Sequence, residues 1–121
     1  MRTVSSLLSL AHQGLAEAEQ TRSPSERYAL AHLAALRAAA AVLSCRTHSS
    51  RTRPTSAWVL LARVAPELTE WSQFFAAGAE KRAAAEAGIA GVVTPREADD
   101  LLRDTEAFLS VVETTLLARA G

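Results

Sequence analysis

Arg27 and His32 stand with four residues between them in Arg27-Tyr28-Ala29-Leu30-Ala31-His32. An arginine and a histidine held together can cleave RNA without a metal. The guanidinium neutralises the charge that builds on the phosphate, and the imidazole moves a proton or holds the nucleophile. Their spacing works against this on a regular helix, where five positions turn through about 140°. His32 is instead the helical neighbour of Tyr28 and Leu36, the setting of an inward-facing, hydrogen-bonded histidine. Arg27 and His32 are therefore catalytic candidates by residue type, with the geometry against them.

A second group is basic. Arg46, His48, Arg51 and Arg53 fall within one short stretch, and guanidiniums so close together can contact phosphates, which makes them nucleic-acid-binding candidates. Arg82 is a third kind of candidate, because it continues the spacing of Trp71, Phe75 and Gly78 and so aims a charge along an apolar stripe. Such a guanidinium either finds a carboxylate, with Asp99 and Asp100 in reach on the following helix, or snorkels to solvent at a helix end. His12 has no acidic or cysteine neighbour at ligand spacing and reads as structural. Asp100 and Asp104 are four apart, yet Asp99 and Arg103 share that spacing and suggest a solvated charged face. No metal site and no cofactor are expected. Phosphate-binding glycine loops, nucleophile elbows, H-E-x-x-H, C-x-x-C and paired Glu-x-x-His motifs are all missing from the sequence.

The elements that must position these residues are helical. Val4, Leu7, Leu8, Ala11, Leu15 and Ala18 recur three and four apart. Ser23-Pro24-Ser25-Glu26 reads as a capping box that opens a second helix to about Arg46, with Ala29, Leu33, Leu36, Ala40 and Leu43 as its seam. Thr47 to Thr55 is the longest expected loop. Pro66 should end a short third helix near Ala65, after which a fourth runs through Leu68, Trp71, Phe75 and Gly78 to a left-handed cap at Gly88. Thr94-Pro95-Arg96-Glu97 repeats the capping box. The last helix should bury Ala98, Leu101, Leu102, Phe108, Leu109, Val112 and Leu116.

Composition agrees with that pattern. The 121 residues include 26 alanines but only six aromatics, five glycines and four prolines, which favours helix over sheet. The charge is balanced at 13 basic against 13 acidic residues, so any nucleic-acid footprint is local. A single cysteine, Cys45, excludes an internal disulfide and suggests a reducing, cytoplasmic compartment. No apolar run is read as reaching the roughly 18 residues of a membrane span, and no membrane partner is expected. The expected architecture is one all-α domain, an antiparallel up-and-down bundle of four long helices plus one short helix.

The helix from Arg27 to Leu43, with its tyrosine, alanines, histidine and leucine-rich end, resembles the second helix of HEPN domains. Thr94 to Ala98, Ala107-Phe108-Leu109 and Val112-Glu113 resemble the closing helix of that superfamily, and Trp71 to Gly88 fits between them. The chain is similar in particular to a small HEPN family of high-GC bacteria. The resemblance covers essentially the whole chain, residues 1 to 121, and implies a helical bundle that commonly dimerises. It also implies membership of a superfamily that binds or cuts RNA or serves as noncatalytic partner modules. Active members carry an arginine followed shortly by a histidine toward the later helices. The comparable arginine here is Arg82, and Ala83 to Asp104 contains no histidine. The expected function is thus a dimeric, noncatalytic HEPN-like domain that binds RNA. The alternatives are a metal-independent ribonuclease using Arg27 and His32, and a pure protein-interaction module.

Overall fold

The computed structural model describes residues 2–46 and 56–120. Among them are six α-helices, a single 3-10 turn and no strand: α1 Arg2–Gln20, α2 Pro24–Arg46, α3 Ala57–Val64, the 3-10 turn Pro66–Leu68, α4 Thr69–Ala77, α5 Ala79–Glu86 and α6 Pro95–Ala120.

Local chemistry accounts for most of the boundaries. At α6 the capping box is reciprocal: Thr94 Oγ1 accepts the Glu97 N–H at 3.1 Å, and the Glu97 carboxylate accepts the Thr94 N–H at 2.9 Å. At α2 it is only half made. Ser23 Oγ accepts the Glu26 N–H at 3.2 Å, while the Glu26 carboxylate accepts the Thr21 hydroxyl at 2.9 Å. The tight α1–α2 connector brings that hydroxyl within reach. Helix α3 opens under Ser56, whose Oγ accepts the Trp58 N–H at 3.1 Å, and ends at Val64, two residues before Pro66. Gly88 takes φ +78° and closes α5 with the Gly88 N–H on Ala85 O and the Ile89 N–H on Ala84 O, both at 3.1 Å.

The expected fourth long helix is divided. At Gly78 the N–H bonds back three residues to Phe75 O at 3.0 Å, and α4 passes into α5. Gly78 is required by close approach, because a Cβ there would lie 2.8 Å from Tyr28 Oη. The described bundle thus has long helices of 19, 23 and 26 residues and short ones of 8, 9 and 8.

Helix α1 runs antiparallel to α2, with Arg27 bonded to Ala18 O and Gly14 packed against Ala34. It also runs antiparallel to α6, through His12 on Glu113. Helices α2 and α6 therefore point the same way. Helix α2 is the central element, in contact with α1, α3, α5 and α6.

Its buried face differs from the expected leucine seam. Ala31, Ala34, Ala35, Ala38, Ala39, Ala41 and Val42 are fully buried, while Ala29, Leu33, Leu36, Ala40 and Leu43 are only half-buried. Close helix approach requires the smallest side chains along the line of contact, and the leucines straddle it. The same feature makes α2 apolar enough to be a membrane span by length and composition, with a mean hydropathy of 1.5, contrary to the reading of the sequence. Half of that stretch is buried among its neighbouring helices.

The large side chains gather at one place. Phe75 stacks on Trp58 at 5.2 Å between ring centres and lies 5.0 Å from Phe108, which is 5.4 Å from Trp71. Phe75 and Phe108 are fully buried, each worth roughly 1.5–3 kcal/mol over an exposed ring. Ser72 ties α4 to α3 through a hydrogen bond to Trp58 O.

Candidate functional site

Arg27 sits at the start of α2 and faces the connector. Its Nε donates to Ala18 O at 3.0 Å, one Nη donates to Thr21 O at 2.7 Å, and the other pairs with the Asp99 carboxylate at the start of α6. The two carbonyls belong to the end of α1 and the residue after it, where helix carbonyls run out of intrahelical donors. Arg27 thus pins three chain segments together.

His32 turns the other way, into the core. It is fully buried, and its Nε2 lies 2.8 Å from Phe75 O, which has only lone pairs to offer, so Nε2 carries the proton. The aromatic rings of Tyr28, Trp58 and Phe75 surround it at 5.9–6.4 Å. Burial pushes the imidazole's pKa below its ordinary value; the bond to Phe75 O opposes this, and the Arg82 guanidinium reinforces it. Nδ1 is buried without a partner. The structure therefore gives Arg27 and His32 separate partners and separate environments, as their angular separation on a helix requires.

The arginine whose field reaches His32 is Arg82, across the α2–α5 contact. Neither Asp99 nor Asp100 reaches it: Arg82 Nη1 bonds Glu86 one turn on at 3.0 Å, and its Nε is buried without a partner. Asp99 is held by Arg27, and Asp100 by Arg103. The expected pairing of Asp99 with Arg103 is not made, because Arg27 arrives from α2. Above His32, the Tyr28 hydroxyl's pKa is pushed up, chiefly by burial. Nearby, Lys81 bonds Glu97 at 2.7 Å, and the pairing raises the lysine's pKa and lowers the carboxylate's.

Arg46, at the end of α2, bonds Glu67 at 2.7 Å and reaches Val64 O at 3.4 Å. It ties α2 to the α3–α4 corner. His48, Arg51 and Arg53 lie outside the described residues. Cys45 is a half-buried free thiol. Among the described residues no group of three or more His, Cys, Asp or Glu is placed to hold a metal ion.

A family model described as SAV_6107-like HEPN matches residues 18–113, from the end of α1 to the last turns of α6. The chain belongs to this HEPN family. No curated protein and no solved structure matches it. The matched span contains Arg27, His32, the Arg46 to Arg53 stretch and Arg82.

The HEPN domain also holds a feature that was not read from its sequence. A groove of about 320 Å3 runs between α1 and α6, with Leu15, Ala16 and Leu109 along it and Glu19, Glu106 and Glu113 at its walls. His12 Nε2 meets Glu113 Oε2 there at 2.8 Å, so the partner missing from its own helix comes from α6. The Glu106 carboxyl's pKa is pushed up by burial and by a hydrogen bond shared with Glu19. One signal was present: His12 and Glu19 are seven apart, as are Glu106 and Glu113, two turns on one helix face. Only the antiparallel docking of α1 on α6 turns these two ladders toward each other.

Proposed function

We propose that this HEPN domain is a noncatalytic, homodimeric helical module of the cytoplasm that contacts RNA through Arg51 and Arg53, with Arg46 at the root of that stretch. Its α1, α2, the α4–α5 pair and α6 form the four members of an up-and-down bundle, and α3 is the short extra helix. The noncatalytic reading rests on one observation: His32 is 0% exposed, with Nε2 committed to Phe75 O. A histidine that moves a proton at a phosphate must reach that phosphate within hydrogen-bond distance. Arg27 is equally committed, to two carbonyls and a carboxylate. The RNA reading is supported by the basic run in the sequence, and the dimer by the resemblance to HEPN domains.

Incubating the purified protein with mixed RNA in chelator tests the first part. No cleavage is expected. Cleavage that disappears in His32→Ala would overturn it in favour of the ribonuclease reading. For RNA contact, affinity over a salt series is compared with Arg51→Ala/Arg53→Ala. Affinity should fall and the salt slope should lose about 1.4, from two phosphates on a single strand. Unchanged affinity and slope would remove the segment from the account. Light scattering should give twice the chain's mass; a strict monomer would refute the dimer.

A further inference from the structure

We infer that the outward stripe of α2 is the contact face for a second copy of this chain, the two α2 helices meeting antiparallel so that Arg37 of each pairs with Glu26 of the other. This rests on the homodimer reading above and gives it a face. Glu26, Leu30, Leu33, Arg37, Ala40 and Ser44 recur alternately four and three positions apart, the repeat with which one helix packs along another. Glu26 and Ser44 are the two exposed residues of α2, and Leu30, Leu33, Arg37 and Ala40 between them are half-buried. The buried alanines and His32 lie round the rest of the helix. Leu10 of α1, 40% exposed, extends the apolar surface alongside. Gly14, one turn further along α1, packs on Ala34, and the antiparallel course of α1 sets Leu10 about level with Arg37.

Charge selects the occupant. Among the described residues Arg37 makes no ion pair or hydrogen bond, although its guanidinium lies half-buried between Leu33 and Ala40. The other half-buried arginines, Arg27, Arg46 and Arg82, each hold a carboxylate, which compensates the water they lose. Glu26, toward the other end of the stripe, accepts the Thr21 hydroxyl at 2.9 Å and has no cation beside it among the described residues. Arg37 and Glu26 stand eleven positions apart, about 16 Å along the helix, too far to meet within one chain. They meet between chains when a two-fold axis crosses α2 midway between the levels of Ala31 and His32. Each Arg37 then faces Glu26 of the second copy, and each Leu33 faces its Leu30, so both contacts are made twice. A parallel pairing would set Arg37 against Arg37 and Glu26 against Glu26, and like charges reject it.

Two charge reversals in the full chain test this by analytical ultracentrifugation. Arg37→Glu sets carboxylates against carboxylates across the axis, and Glu26→Arg sets guanidiniums against guanidiniums. Each variant alone should dimerise about tenfold more weakly than wild type, or worse. Mixed in equal amounts, the two should form a heterodimer about as tight as the wild-type dimer, because both contacts return with their signs exchanged. Arg96→Glu, the same charge change at an exposed position of α6, should leave dimerisation unchanged. Where circular dichroism shows that a reversal has lost native helix content, Arg37→Gln and Glu26→Gln read the same contact, and their effects should not add in the double variant. A wild-type monomer would overturn both this assignment and the homodimer reading. A dimer equally tight in wild type and both reversals would overturn the assignment alone and leave the homodimer reading standing. A mixture no tighter than the separate variants, or additive losses from the two glutamine changes, would do the same.

Discussion

Replacing His32 with leucine probes the residue on which the noncatalytic reading turns. In the native protein the imidazole is buried and neutral, with its pKa held below the ordinary value of 6.5. A depressed histidine pKa means that the unfolded chain binds the extra proton first. The contribution to stability is thus complete above about pH 6.5 and is lost as pH falls toward the native value. The largest slope one such group can produce is about 1.4 kcal/mol per pH unit. At about pH 7.5 the leucine variant should be less stable by about 1–3 kcal/mol, from changed shape and a lost hydrogen bond. The bond's acceptor is not orphaned, since Phe75 O also receives the Gly78 N–H at 3.0 Å. Between about pH 6.5 and 5.5 the wild type should lose up to about 1.4 kcal/mol that the variant keeps, so the gap between them narrows. Glu106 acts in the opposite sense. Its pKa is raised from 4.5, so its contribution is lost as pH climbs from there, but it acts equally in both proteins and cancels in the difference. Urea unfolding followed by Trp58 and Trp71 fluorescence at the two pH values measures the gap. A gap that stays constant or widens in acid would mean that the native imidazole protonates freely, and the argument from burial would fail.

Gly78→Ala should destabilise the protein by about 1–3 kcal/mol despite alanine's better helix propensity, since its Cβ would stand 2.8 Å from Tyr28 Oη. In a Tyr28→Phe background the same change should become neutral or stabilising, and a double-mutant cycle by urea unfolding reads the coupling; no coupling would remove the clash as the cause. Arg27→Met should cost about 1–3 kcal/mol by leaving Ala18 O and Thr21 O short of donors, with amide exchange fastest at the α1–α2 connector. Thr94→Ala should cost about 1 kcal/mol through loss of the α6 cap, checked by thermal unfolding.

Much of the candidate site is legible one residue at a time and illegible as a set. The helical separation of Arg27 and His32 foretold that they would part, and the neighbours Tyr28 and Leu36 foretold an inward histidine. What His32 donates to could not be read, because Phe75 O belongs to a helix 43 residues away. Asp99 was paired in sequence with Arg103 by local spacing, whereas α2 delivers Arg27 to it. His12 appeared to stand without a partner for the same reason. The SAV_6107-like match over residues 18–113 agrees with the resemblance carried by the Arg27 to Leu43 helix and by α6.

The sequence by itself determined the helical class, the caps at Ser23 and Thr94, the stop before Pro66 and the left-handed turn at Gly88. Each of these depends on interactions within a few residues, where backbone hydrogen bonding and side-chain stereochemistry decide. Tertiary structure alone decided which face of α2 is buried, since alanine against alanine is favoured only when another helix lies against it. It also decided the break at Gly78, where Tyr28 leaves no room for a Cβ, and the groove in which Glu19 meets Glu106. Those outcomes are set by distances between residues far apart in the chain, and periodicity along one helix carries no information about them.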